Sequence, residues 1–213
     1  MIRRETTRIF LVPVVSALLF SGCATQDDVY DLAGQERDPF EIGADRPPTA
    51  KTLYALGRIL GGQGKDEQAR YVLTRAIQED RDFMPPYTDL AEIFLRNGRL
   101  DDAIKTLAVG LRLSPKDPIL LNNRGMCLMV KGDHLEALVS FTKAHKVIPS
   151  NARYIGNMAV ASGMLGRYQD AFESYSQVMS SKDAYYNVAI LCEANGDEGQ
   201  ADLAYKQTLF AKN

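Results

Sequence analysis

From Thr49 onward, apolar residues recur at spacings of three and four. Leu90, Ala91, Phe94 and Leu95 form one such set; Ala137, Leu138, Phe141 and Ala144 form another. This spacing gives each of a series of helices one apolar stripe and predicts an all-α domain. Two segments break the pattern. Ile9 to Phe20 is a continuous apolar run interrupted only by Pro13 and Ser16. Ala24 to Pro48 has no helical period, is rich in Asp and Glu, and ends in Pro47-Pro48. A composition of that kind buries too little apolar surface to fold alone and predicts a flexible tether. The alternative for part of it is a short helix over 28–35 docked on the first helical unit.

The helical region repeats. Glycines fall at Gly64, Gly98, Gly132, Gly166 and Gly196, at intervals of 34, 34, 34 and 30 residues. Five positions after each stands an alanine: Ala69, Ala103, Ala137, Ala171 and Ala201. Seven positions before each is another small residue: Gly57, Ala91, Gly125, Ala159 and Ala189. Nine positions after each is a large apolar or aromatic one: Leu73, Leu107, Phe141, Tyr175 and Tyr205. Small residues on both sides of a turn let two antiparallel helices approach to about 8–10 Å. The glycine supplies the left-handed residue that ends the first helix. Pro115 and Pro149 cannot continue a helix and close the second one. The interval before Gly196 is four residues short. The gap falls near Met179–Asp183 and predicts a shortened helix before the last hairpin. The final hairpin has no helix after it to cover Tyr205 and Leu209, which should stay partly open to solvent.

This pattern resembles the tetratricopeptide repeat (TPR), with its 34-residue unit and small, aromatic, alanine and proline residues at fixed places. The resemblance covers Thr49 to Asn213 and implies a superhelix of about five antiparallel helix hairpins. The predicted organisation is residues 1–22, residues 23–48, and a repeat domain over 49–213, with units at 50–83, 84–117, 118–151, 152–181 and 182–213.

The N-terminal segment has the order of an export signal. Arg3, Arg4 and Arg8 precede the apolar run, and Ser21-Gly22-Cys23 follow it. The run is shorter than the roughly 20 residues a membrane-crossing helix needs. Phe20-Ser21-Gly22-Cys23 resembles the lipobox of bacterial lipoproteins, with Phe where leucine is usual. That resemblance implies cleavage before Cys23 and acylation of its thiol, palmitate included. Each buried methylene of such chains contributes roughly 0.8 kcal/mol to anchoring. A plain secretory cut is the alternative. Residue 24 is Ala. By the lipoprotein sorting rule, the lack of Asp there implies an outer-membrane anchor with the domain facing the periplasm.

Composition narrows the function. The formal charge of −2 gives no electrostatic call for nucleic acid. Residues 1–22 carry +2, which leaves −4 on the remainder. His134 and His145 lack metalloprotease spacing and are expected on solvent-facing helix positions. Gly64-Lys65 is no phosphate loop, because Ile59 and Asp66 stand where that motif needs Gly and Ser or Thr. Cys127 and Cys192 lie two repeats apart, beyond the roughly 7 Å reach of a disulfide, and are expected as buried free thiols. No catalytic, metal or cofactor site is predicted, and the chain is not expected to be an enzyme.

The TPR resemblance implies a groove lined by the first helix of each unit. Its ligand-contacting positions carry over to Asn122, Asn123, Met126, Met129 and Val130 in the third unit. They carry over to Arg153, Asn157, Val160 and Met164 in the fourth, and to Tyr186, Asn187 and Ile190 in the fifth. Asn123, Asn157 and Asn187 occupy one register, and an amide can both donate to and accept from a peptide backbone. The alternative is that these amides bond within the stack, or that the tether covers the Met and Val residues. The expected partners are proteins or peptides, with the membrane reached through the anchor.

The lipobox, the chain length, the short last interval and the stretch Ala184-Tyr185-Tyr186-Asn187-Val188-Ala189 together resemble the TPR lipoprotein of tight-adherence (Flp/Tad) pilus systems. That resemblance implies a scaffold in pilus assembly or secretion, acting near the outer-membrane secretin. A general outer-membrane adaptor, such as a secretin pilotin or a peptidoglycan-enzyme scaffold, is the alternative. An enzyme with an unrecognised site is a remote one.

Overall fold

The computed structural model describes residues 47–211. Residues 1–22, Cys23 and nearly all of the 23–48 segment lie outside them, so the signal, lipid-anchor and tether readings are not addressed by the fold. Among the described residues are ten α-helices and no strands. They are α1 (Ala50–Gly62), α2 (Asp66–Glu79), α3 (Pro85–Arg96), α4 (Leu100–Leu113), α5 (Pro118–Lys131), α6 (His134–Val147), α7 (Ala152–Met164), α8 (Tyr168–Tyr175), α9 (Ser181–Ala194) and α10 (Glu198–Phe210).

The sequence marks where each begins and ends. Thr49, Asp117, Asn151, Ser180 and Asp197 cap helix starts by accepting from backbone N–H groups of the first turn. Asp117 accepts from Ile119 N at 2.9 Å and Leu120 N at 3.0 Å, and Pro118 follows it, where a missing N–H costs nothing. The five turn glycines all have positive φ, between 73° and 89°. α4 and α6 stop at Leu113 and Val147, two residues before Pro115 and Pro149, as the prolines require.

Each odd-numbered helix packs antiparallel on the even-numbered helix after it, and each even-numbered helix packs on the next odd one. The odd-numbered helices also touch one another in succession, α1 to α3, α3 to α5, α5 to α7 and α7 to α9. Among the described residues, the even-numbered helices make no such contact with one another. A stack whose first helices meet while its second helices splay apart must curve, with the first helices on the inside. This is the TPR superhelical fold.

Inside the hairpins the core follows the register read from the sequence. The alanines five residues past each turn are buried, as are Leu73, Leu107, Phe141 and Tyr175. A Cβ at Gly125 would come within 2.5 Å of the Phe141 ring, and one at Gly57 within 2.6 Å of Leu73. The bare backbone there lets the large residue of the second helix seat against the first. Burial of one such side chain stabilises the hairpin by about 1.5–3 kcal/mol.

The shortened unit is α8, with 8 residues where α2, α4 and α6 have 14 each. It ends at Tyr175, earlier than the expected gap at 179–183, and the chain turns through Val178 N to Tyr175 O at 2.9 Å and on into α9. The effect is felt between α7 and α9. A Cβ at Gly163 would overlap the Leu191 side chain. At Gly61, the same register position of the first unit, only ordinary contacts are met, the nearest at 3.5 Å. At the far end Leu209 and Phe210 are about four-fifths exposed, at 78% and 82%. Tyr205 is half-buried: its hydroxyl meets Glu193 at 3.1 Å and its ring meets Tyr186 edge-on at 5.9 Å.

Candidate functional site: the inner groove

The groove positions read from the sequence all lie on α5, α7 and α9, but they are not equivalent. Met126, Val130, Arg153, Tyr186 and Ile190 are exposed. Asn123, Met129, Asn157, Val160, Met164 and Asn187 are half-buried. Asn122 is buried, with 4% of its surface exposed. Val160 and Met164 pack against the core of the last two hairpins, and Met129 against that of the third and fourth. The open apolar surface of this part of the groove is therefore Met126 and Val130 on α5, then Tyr186 and Ile190 on α9.

The amides bond mainly to one another. Asn157 Nδ2 donates to Asn122 Oδ1 at 2.8 Å, tying α7 to α5. Asn122 Nδ2 in turn donates to Asn123 Oδ1 at 3.3 Å. Asn187 Nδ2 points at Met179 Sδ, 3.1 Å away in the turn after α8. Asn157 takes the within-stack role, because a buried Asn122 carbonyl without a donor would be costly. Asn123 keeps its own N–H groups free toward the groove.

The groove continues over the first two units, where the equivalent positions are polar or charged: Tyr54 and Arg58 on α1, Thr88, Asp89 and Glu92 on α3. Arg58 Nε lies 3.7 Å from Asp89 Oδ2, and its guanidinium sits 6.0 Å from the Tyr54 ring centre. Burial pushes the Asp89 carboxyl above the ordinary carboxylate range, while Tyr54 and Arg58 pull it the other way. Three cavities surround the inner face of α3. One of about 180 Å³ lies between α3 and α5, lined by Thr88, Ala91, Glu92, Leu95, Leu107, Asn123, Met126 and Cys127. One of about 210 Å³ lies between α1 and α3, is lined in part by Asp89, and shares Glu92 with the first. A third, of about 340 Å³, opens beside Tyr54, Thr88, Asp89, Asp117 and Ile119. Asp89 and Glu92 occupy the same repeat register as Asn123 and Met126, so carrying that register back one unit finds them.

Polar ties run along the turn edge of the stack. Arg96 and Asn97 reach back from the end of α3 to Asp66 at the start of α2, at 3.0 Å and 2.8 Å. Their donors hold the Asp66 carboxyl below its ordinary range. Lys131 meets Asp101 of α4 at 3.0 Å and does the same for it. At the last interface Asn195 donates to Gly163 O at 2.8 Å and to the Tyr168 hydroxyl at 3.1 Å.

Cys127 and Cys192 are buried free thiols. Burial pushes both upward in pKa, which makes them poor nucleophiles. His134 and His145 are half-buried rather than solvent-facing, each with a buried Nδ1 that finds no hydrogen-bond partner. Among the described residues no group of three or more His, Cys, Asp or Glu is placed to hold a metal. No described helix is long and apolar enough to cross a membrane.

A tetratricopeptide repeat family model matches residues 62–122. Human superkiller complex protein 3 is 29% identical over 92 residues, which are 43% of this chain but only 6% of that protein. Among solved structures, the MamA protein superposes with a TM-score of 0.63 at 17% identity, covering 77% of this chain and 92% of the other. YrrB, described as a TPR protein with an unusual peptide-binding site, gives a TM-score of 0.61 at 14% identity, covering 76% and 86%. The described residues have the tetratricopeptide-repeat fold, and stacks of this kind present a continuous concave surface.

Proposed function

We propose that this protein is a membrane-anchored TPR scaffold that captures protein partners in its inner groove while an envelope machine is assembled. The observation that carries the reading is the groove itself. Five first helices line one surface, with exposed Met126, Val130, Tyr186 and Ile190 and open cavities around α3. Aromatic and flexible sulfur-bearing side chains suit a surface that adapts to peptides. The peptide-binding site named for YrrB is consistent with that use of the fold. The lipobox ending at Cys23 supports acylation and an outer-membrane anchor facing the periplasm, and the resemblance to tight-adherence pilus lipoproteins supports a role in pilus biogenesis or secretion.

Crosslinking in intact cells, followed by pull-down from membranes and mass spectrometry, tests the partner reading. Pilus or secretin components should be recovered, and deletion of the gene should abolish surface pili. Normal piliation in the deletion strain would remove the pilus assignment. Cys23→Ser should release a folded protein from the membrane fraction, and its retention there would remove the lipid anchor.

A further inference from the structure

We infer that the inner face of α3 is the primary docking site of this groove, built for a peptide segment that carries a Lys or Arg close to an aliphatic side chain. The inference rests on the partner-binding reading above and names the chemistry of the partner.

Two features stand side by side there. The cavity between α3 and α5 has an apolar floor of Ala91, Leu107 and Cys127, all nearly inaccessible, with Leu95 and Met126 as walls. At about 180 Å³ it admits an aliphatic side chain. Glu92 borders this cavity and also the one between α1 and α3. The other charges around the second cavity are matched. Arg58 faces Asp89, and Arg96 is held by Asp66 and the Gly61 carbonyl. Glu92 is exposed and feels the Arg96 guanidinium only through space, since Arg96 is bonded to Asp66, while Asp89 beside it repels it; the carboxylates Asp66, Asp89 and Glu92 thus outnumber Arg58 and Arg96. Asp117, bordering the third cavity, adds a further carboxylate to this stretch of groove. The uncompensated charge is thus negative, and it sits beside an empty apolar hole. A cationic side chain there would gain a partner without displacing one, while its aliphatic neighbour fills the hole. First helices stand about 8–10 Å apart, and an extended peptide advances about 3.3 Å per residue. The two side chains should therefore lie about three residues apart.

The test is selection of a random-peptide phage library on the full chain, repeated with Glu92→Lys and Met126→Asn. Both residues are exposed, and both variants should keep the wild-type circular dichroism spectrum and melting temperature. On the wild type, captured peptides should be enriched in Lys or Arg with Leu, Ile or Met about three residues away. Glu92→Lys should abolish the basic preference, and Met126→Asn should weaken the aliphatic one. A selected peptide should bind Glu92→Lys at least about tenfold more weakly, since like charges then meet. Binding to the wild type should also weaken as salt rises. Captured peptides of another composition, indifferent to both substitutions, overturn this site and leave the partner-binding reading standing. No captured peptide also overturns the site, and the broader reading then falls only if the membrane pull-down is empty as well.

Discussion

The two ends of the stack are built to different rules. Through the first three units the spacing is a constant 34 residues, the second helices are 14 residues long, and charged pairs stitch the turn edge: Arg96 to Asp66, Lys131 to Asp101. In the fourth unit the second helix is cut to 8 residues, and contact between the first helices of the last two units takes over. Gly163 admits Leu191, and Asn195 reaches the Gly163 carbonyl itself. The regular part leaves cavities between its first helices; the shortened part closes α9 down on α7. A repeat array can thus trade openness for tightness by losing part of one outer helix, with no change to the core pattern.

The contrast can be broken most forcefully in the hairpin cores. Phe141 is almost wholly buried against Gly125, whereas Tyr205 holds the same register at the open end. Phe141→Ala should cost about 3–5 kcal/mol, and Tyr205→Ala markedly less, in denaturant titrations of each. Equal losses would mean that the last hairpin is covered after all. Next in size is a matched pair in one register. Gly163→Ala must push Leu191 away and should cost about 1–3 kcal/mol. Gly61→Ala meets no obstacle and should be neutral, or stabilising by up to about 0.5–1 kcal/mol through reduced backbone freedom. A Gly163→Ala variant as stable as Gly61→Ala would show that α9 does not close on α7.

Asn157→Ala strands the buried Asn122 carbonyl and should cost about 1–3 kcal/mol; Asn123→Ala removes the longer, 3.3 Å acceptor of Asn122 Nδ2 and should cost less. A groove experiment that replaces both amides therefore mixes stability with binding, and Asn123→Asp, which keeps the acceptor for Asn122 Nδ2 and removes the free N–H groups, is the cleaner change. The smallest effect belongs to the turn edge. The donors of Arg96 and Asn97 depress the Asp66 carboxyl in the folded state, so their contribution is present above the unfolded value near 3.9 and is lost as pH falls through the lower folded value. The advantage of the wild type over Asp66→Asn should be full at neutral pH and vanish in acid. An advantage unchanged at low pH would show that the pair is not its source.

Most of the fold was legible because the repeat is written in residues that have few other uses. A glycine in the left-handed region every 34 residues, with a small residue on each flank, leaves little choice of architecture. The shortened unit was legible as a missing interval, though its position was not. The sequence places the gap at 179–183, while the helix itself ends at Tyr175 and the turn takes up the slack. The groove was legible as a register but not as a surface. Whether an amide on the inner face turns to solvent or to its neighbour depends on how closely two first helices cross, and Asn157 finds Asn122 only because α5 and α7 meet there. Glu92 was hidden for a related reason. Arg96, four residues on, would be its partner by spacing, but Asp66 from α2 holds that guanidinium, and no spacing records a contact between units. The half-buried histidines follow the same rule, since α6 packs against first helices on two sides, α5 and α7, and is less exposed than a helical wheel suggests.

The glycine at 163 has one more consequence. Tandem hairpins built on one template are interchangeable in principle, and a folding chain can dock one against the wrong neighbour or against its counterpart in another molecule. Leu191 fits flush on α7 because residue 163 has no side chain; the same register holds Leu95 on α3 and Met129 on α5. Only α1 repeats the glycine, at Gly61, so the pair works as a key and lock that bars the last hairpin from α3 and α5 and narrows the order in which near-copies assemble.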